Sequence, residues 1–126
     1  MARVADYVIL RDDLFRLQTK TANHQAKTSH KFQFNMPAGF HRGSRCILLF
    51  TVQPGSSSAE FRVFLNDQTT EFHGRFSGQG FFSIHEVISA NVLKQSDNTL
   101  EFRLGNIPDN RVIDFGDVVL LCQVDT

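Results

Sequence analysis

The chain has 126 residues, of which 41% are hydrophobic, and this is enough for one domain that buries roughly two-thirds of its unfolded surface. Its 13 basic and 13 acidic side chains give a net charge of zero, which excludes a general attraction to nucleic acid or to anionic lipid. No stretch is apolar for long enough to span a membrane or to form a secretory core. We therefore predict a cytoplasmic protein, with export by a route without a cleaved signal left open.

The N-terminal third of the chain contains one clear strand pattern. A short apolar run at residues 8–10 is interrupted by charged side chains, and the polar stretch at residues 19–30 is predicted to be a long loop or a ragged strand connection. "KFQFNM" then places Phe32, Phe34 and Met36 on one face. It predicts a strand, because apolar residues at every second position share one face of a sheet.

The middle of the chain predicts two further strands. "RCILLFTVQ" is a continuous apolar run that ends at the turn signal "PGSSS". "EFRVFLND" alternates instead, and its turn lies at Asn66 and Asp67. The side chains predicted to point inward are Phe61, Val63 and Leu65, and those predicted to point outward are Glu60 and Arg62.

The C-terminal half continues the same organisation. "TEFHGRFSGQGFFSIHEVI" predicts a shorter strand, a glycine-rich loop and a strand from Phe81. "TLEFRLGN" alternates, with Glu101 and Arg103 predicted to point outward. "DVVLLCQV" is a closing strand after a turn solvated by Asp114 and Asp117. Short strands at this spacing, without any long helical pattern, predict an all-β fold, namely an antiparallel β-sandwich in which residues 1–126 form a single domain.

A polar corner between two of these strands is the most specific feature of the sequence. It reads "LKQSDNTL", residues 93–100. Leu93 and Leu100 can bury on either side of the turn, while the Asn98 side chain bonds backbone groups that the sheet leaves free. A buried corner needs such a polar side chain, because unpaired backbone groups are costly away from water.

The order of elements around this corner resembles a known family. Over roughly residues 60–124, the chain contains an alternating strand that ends in Asn66 and Asp67, a glycine-bearing excursion, the corner and a last apolar strand. This order is similar to that of the galactose-binding-like jelly roll, the fold of many carbohydrate-binding modules. The chain departs from that pattern where Ser96 and Asp97 stand in place of a usual glycine, and where Asp67 stands in place of the glycine that usually follows Asn. The resemblance implies a jelly-roll sandwich and a non-catalytic module that binds carbohydrate or a similar polar ligand.

No residue pattern predicts a catalytic or metal site. The five histidines are scattered, and no cysteine and histidine have zinc-finger spacing. A nucleophile elbow, a phosphate-binding glycine loop and a zinc-protease motif are all absent, so we predict a protein that is not an enzyme and needs no cofactor. Cys46 and Cys122 lie inside apolar runs, which favours buried free thiols over a disulfide between neighbouring strands.

The glycine-rich excursion at residues 69–82 is the predicted ligand site. It offers donors, acceptors and an aromatic ring on a pliable segment, which is what a polar ligand such as a sugar requires. The alternative is a surface turn with Phe72 or Phe76 tucked into the core. The predicted ligand-binding residues are His73, Arg75, Phe76 and Gln79.

Some strands are apolar on both faces, which predicts a second kind of surface. Half-exposed antiparallel strands should alternate, so leftover apolar side chains need a cover. That cover is either the N-terminal segment of the chain itself or another subunit in a homo-oligomer. The leftover side chains, and hence the predicted oligomer interface, are Ile47, Leu49, Phe64, Val119 and Leu121.

The sequence therefore supports two functional hypotheses. The first is a carbohydrate-binding module that works through loops at one edge of the sandwich. The second is a structural or assembly protein whose product is a homo-oligomer joined through an apolar outer sheet face. The absence of Trp and the single Tyr remove the usual stacking platforms for sugars and favour the second hypothesis, whereas the family resemblance favours the first.

Overall fold

The computed structural model describes residues 2–20, 25–55, 59–67, 69–76, 80–88, 91–105 and 111–126, and for residues 69–71 it describes the backbone only. All regular structure in these ranges is β-strand. The described residues contain no helix that is long and apolar enough to span a membrane. The strands are β1 (Arg3–Arg11), β2 (Phe15–Gln18), β3 (Ser29–Phe34), β4 (Ile47–Pro54), β5 (Ala59–Leu65), β6 (Thr69–Phe76), β7 (Phe82–Val87), β8 (Asn98–Leu104) and β9 (Val112–Asp125).

The strands form two antiparallel sheets. The five-stranded sheet has the order β1-β9-β4-β7, and β2 also pairs with β9. β1 pairs with the C-terminal part of β9, and β2 pairs with its N-terminal part. The four-stranded sheet has the order β3-β8-β5-β6. The antiparallel sandwich predicted from the sequence is confirmed.

Period-two placement of side chains produces the core between the sheets. Phe61, Val63 and Leu65 of β5 are fully buried, as predicted. Phenylalanines from both sheets meet in the centre, where the ring centroid of Phe115 lies 4.8 Å from that of Phe61 and 4.8 Å from that of Phe102. Each such aromatic pair contributes about 0.5–1.5 kcal/mol beyond the area it buries, so this cluster holds the two sheets in register.

The polar corner before β8 has the predicted form. Leu93 and Leu100 are buried on either side of it, and Asn98 is fully buried. The Asn98 Oδ1 atom accepts a hydrogen bond from the backbone N–H of Lys94 at 2.9 Å, and its Nδ2 atom donates to the Lys94 carbonyl at 2.7 Å. The side chain therefore replaces the sheet partners that this turn lacks.

A second asparagine completes the corner from the neighbouring turn. Asn66 donates from Nδ2 to Asn98 Oδ1 at 3.1 Å and accepts from the Thr99 backbone N–H at 2.8 Å. Asn66, Asp67 and Asp97 all have positive φ, of 53°, 60° and 60°. Asn and Asp adopt this left-handed conformation at lower cost than other non-glycine residues, which explains how the chain dispenses with glycine at both turns.

The sequence prediction was wrong about the start of the last strand. Residues 114–117 do not form a turn, because β9 begins at Val112 and runs through them. Asp114 pairs with Arg16 of β2, with Nε to Oδ1 at 2.8 Å, and Asp117 has a φ of 50° at an irregularity in the ladder. A Cβ atom at Gly116 would lie 2.6 Å from Leu14 Cδ2, so a larger residue there would displace the Leu14 side chain.

The N-terminal region is also more regular than predicted. The segment around residues 8–10 belongs to β1, and Phe15–Gln18 forms β2. The polar stretch after it carries a bridge between Gln18 and Lys27, with N to O distances of 2.8 and 2.9 Å, and residues 21–24 lie outside the described ranges. Within those ranges, the predicted loop is thus closed by backbone hydrogen bonds before β3 begins.

Both cysteines are free and buried, as predicted. Cys46 lies just before β4, and Cys122 lies on β9. Burial raises the pKa of the Cys46 thiol to about 11, and it also raises the pKa of Cys122. Both thiols therefore stay protonated and unreactive near neutral pH.

Candidate functional site

The outer face of the four-stranded sheet carries the predicted ligand residues His73 and Arg75. They lie on β6, an edge strand, and not on a loop as the sequence predicted. Both face Glu60 of the adjacent β5: His73 Nε2 lies 2.6 Å from Glu60 Oε1, and an Arg75 Nη atom lies 2.9 Å from Oε2. These contacts, with His73 the larger influence, hold the pKa of Glu60 below its usual value.

Phe76 and Gln79 do not join this cluster. Phe76 ends β6 half-buried, and its ring stacks on Phe61 with centroids 5.6 Å apart, so the alternative of a core role holds for this side chain. Gln79 lies outside the described residues. The rings exposed nearby are those of Phe81, which is 64% exposed, and Phe82, whose centroid is 5.3 Å from that of Phe76.

A shallow depression of about 360 Å³ adjoins the cluster on the same face. The Arg103 guanidinium lies over the Phe64 ring, with Cζ 4.1 Å from the centroid, and pairs with Glu101 at 2.7 Å. Both contacts fix the plane of the guanidinium group. The depression is lined by Glu60, Arg62, Phe64, Arg103, Leu104 and Gly105.

Strand register explains why these charges meet. Arg62 of β5 lies directly opposite Arg103 of β8 on one side and opposite His73 of β6 on the other. We call Arg103, Arg62 and His73 the basic row. The sequence did predict Glu60 and Arg62 to point outward, but only the strand order shows that β5 lies between β6 and β8.

The outer face of the five-stranded sheet has a different character. Ile47 lies opposite Leu121 and Leu49 lies opposite Val119, so four of the predicted interface residues share one surface. Phe64, the fifth, lies on the four-stranded sheet and does not belong to it. We call this surface the apolar face; it consists of Tyr7, Ile9, Ile47, Leu49, Val87, Val119 and Leu121.

The N-terminal segment does not cover the apolar face. β1 pairs at the edge of β9 and extends the sheet, where it adds Tyr7 and Ile9, which are 59% and 57% exposed. A shallow hollow of about 260 Å³ lies between β4, β7 and β9 on this face, with His85 and Asp117 among its lining residues. Of the two covers considered from the sequence, the described N-terminal residues are therefore not the cover of this surface.

The described residues hold no group of three or more histidine, cysteine, aspartate or glutamate side chains that could bind a metal ion. His41 lies 3.1 Å from Asp125, from Nδ1 to Oδ2, and this is a pair only. His85 and Glu86 are adjacent on β7, where neighbouring side chains point to opposite faces. The two outer faces are therefore the candidate sites.

No family model and no curated protein matches the chain. Solved structures do. Dimeric latent PorU from Porphyromonas gingivalis matches with a TM-score of 0.67 and 8% identity over 99% of this chain, which spans only 13% of PorU. A family 29 carbohydrate-binding module from Piromyces equi matches with a TM-score of 0.54 and 12% identity, covering 94% of this chain and 91% of the module.

A family 4 carbohydrate-binding module matches with a TM-score of 0.52 and 18% identity, covering 91% of this chain and 74% of that chain. The chain has the jelly-roll fold of carbohydrate-binding modules. The resemblance found in half of the sequence thus extends to the whole described structure. At these identities the likeness concerns the fold, so function has to be argued from the two outer faces.

Proposed function

We propose that this chain is a non-catalytic carbohydrate-binding module whose sugar site is the outer face of the four-stranded sheet, at β5, β6 and β8. The observation that carries the proposal is the cluster of fixed polar groups around the depression. Glu60 holds both His73 and Arg75, and Arg103 is held by Glu101 and Phe64. Such groups bind hydroxyl groups without first having to be ordered, which lowers the entropic cost of binding.

Two further features support this proposal. The similar structures from families 29 and 4 are carbohydrate-binding modules by name. The ring of Phe82, which contacts Phe76 at the end of β6, and the exposed ring of Phe81, its neighbour in the chain, offer apolar surfaces for the face of a sugar ring. They supply the stacking platform for which the sequence, without Trp, offered no obvious candidate.

The proposal is tested by a glycan array followed by calorimetry on the wild type and on His73→Ala, Arg75→Ala and Phe81→Ala. A lost hydrogen bond to a charged group costs about 1.5–3 kcal/mol, so we expect Arg75→Ala to weaken binding roughly 10-fold to 100-fold. Arg16→Ala is the matched control, because Arg16 is an exposed arginine paired with Asp114 on the other sheet. Absence of any glycan ligand, or equal affinity in all variants, would refute the proposal.

A second function is favoured by the apolar face. We propose that this face joins a second copy of the chain, because side chains such as Tyr7, Ile9 and Val87 leave a contiguous apolar surface in water. Sedimentation over a range of concentrations should show a dimer or larger species that Ile47→Lys dissociates, while Phe64→Lys on the opposite face leaves it intact. A strict monomer at all concentrations excludes this function.

A further inference from the structure

The basic row contains an arrangement that is unfavourable in the isolated chain. Arg62 and Arg103 occupy directly opposed positions on neighbouring antiparallel strands and share the outer face. Side chains at such positions have Cβ atoms about 4.5–5.5 Å apart, and like charges there destabilise a sheet. A pair of this kind therefore calls for an anion between or above the two guanidinium groups.

The described carboxylates of this face, Glu60 and Glu101, do not fully supply that anion. Glu101 contacts Arg103, and both oxygen atoms of Glu60 are engaged by His73 and Arg75. Among the side chains that the structure describes, Arg62 forms no ion pair, although it lies in the middle of the row. Arg62 lines the depression, and its guanidinium group has N–H donors for a group bound there.

The shape of the site points to a planar anion. Arg103 is held with its Cζ atom over the Phe64 ring, and Arg62 lines the same depression from the adjacent strand. A guanidinium group presents parallel N–H donors that match a carboxylate in a bidentate arrangement. Glu60 also lines the depression, and each of its oxygen atoms, although engaged by His73 or Arg75, has a further lone pair that can accept a hydrogen bond from a sugar hydroxyl group.

We infer that the sugar chain bound at this site is acidic, and that Arg62, with Arg103, binds the carboxylate of a uronic acid unit in the depression. This inference rests on the proposed carbohydrate-binding function and names its ligand class. Binding by this contact weakens as ionic strength rises, because exposed charges are screened by salt. It also requires the carboxylate to be ionised.

The test compares polygalacturonate with the same polymer after methyl esterification, which keeps the sugar backbone and removes the charge. Calorimetry or affinity electrophoresis of the wild type should show binding of polygalacturonate that is at least tenfold tighter and that weakens with salt. Arg62→Ala should remove this preference, and Arg62→Lys should restore only part of it, since lysine lacks the planar pair of donors. Arg16→Ala again serves as the control and should retain full affinity.

A separate readout distinguishes a binding role from a structural one. Because Arg62→Gln removes a like-charge pair, it should leave the melting temperature unchanged or raise it while weakening polyuronate binding. A lower melting temperature with unchanged binding would overturn the inference. Equal affinity for the esterified polymer, or binding of dextran sulfate but not of polygalacturonate, would also overturn it and leave the carbohydrate-binding function standing. Failure to bind any charged or neutral glycan would instead refute that function itself.

Discussion

The corner before β8 gives the most direct test of how this fold is held together. Asn98→Ala would remove three hydrogen bonds: two to the backbone of Lys94, at 2.9 and 2.7 Å, and one from Asn66 at 3.1 Å. Asn66 Nδ2 retains a second acceptor, the Val92 carbonyl at 2.8 Å. The loss therefore falls mainly on the N–H and C=O groups of Lys94.

Each buried group left without a partner costs about 1–3 kcal/mol, so we expect Asn98→Ala to lower the free energy of unfolding by about 2–4 kcal/mol. The chain has no Trp, so urea unfolding is best followed by circular dichroism of the β-sheet signal. Ser96→Ala at the same corner is the matched control, because Ser96 is exposed and should change stability by less than about 0.5 kcal/mol.

Asn98→Asp separates the two halves of the interaction. It keeps both acceptor contacts of the side chain but places a carboxylate oxygen against the Lys94 carbonyl, where Asn98 now donates at 2.7 Å. We expect it to be destabilising as well. If Asn98→Ala instead cost less than about 1 kcal/mol, water would satisfy Lys94 as well as the side chain does, and the view of Asn98 as the essential partner of this corner would be wrong.

Three further predictions concern single sites. Cys46 and Cys122 should resist thiol-labelling reagents at mildly alkaline pH until urea unfolds the chain, because burial raises the pKa of both; rapid labelling of the native protein would contradict this. Burial, with Lys27 and Arg11 nearby, lowers the pKa of His30 below 6.5, so the unfolded chain binds a proton at this residue before the folded chain does. The free energy of unfolding, measured by chemical denaturation, should therefore fall as the pH drops through 6.5, and it should fall less steeply in His30→Gln. Equal slopes in the two proteins would contradict this. Asp97→Gly should raise the melting temperature slightly, because Asp97 has a φ of 60°, and a clear decrease would show that its side chain is needed.

Alternation predicted the interior strands well because those strands are bounded by turns and buried on one face. β5 and β8 show it most clearly, with Phe61 and Phe102 fully buried and Arg62 and Arg103 outside. The edge strand β1 escaped prediction because its inward row is not apolar throughout. Asp6 lies opposite buried Cys122, so a charged residue interrupts the alternation of apolar and polar residues that is typical of a strand.

Glycine misled the prediction in two places, and for one reason. In β6, Gly74 was taken as part of a loop, yet a Cβ atom there would lie 2.7 Å from the Phe72 ring and 2.8 Å from that of Phe76. In β9, Gly116 makes room for Leu14 in the same way. Both glycines leave space inside a strand for a neighbouring side chain: Gly74 for the rings two residues away on β6, and Gly116 for Leu14 from the segment before β2.

The candidate site shows why outward-facing residues are easier to predict than the surface they form. The sequence predicted that Arg62 and Arg103 point to outer faces. They are 41 positions apart in the chain (103 − 62), however, and nothing local indicates that their strands are neighbours. Their opposition follows only from the order β3-β8-β5-β6. Since β5 is an interior strand of this sheet, Arg62 is flanked on both sides, by the cationic Arg103 on β8 and by His73 on β6. Two arginines at opposed positions cost the isolated sheet stability, and this cost is the reason why we propose an anionic ligand on this face.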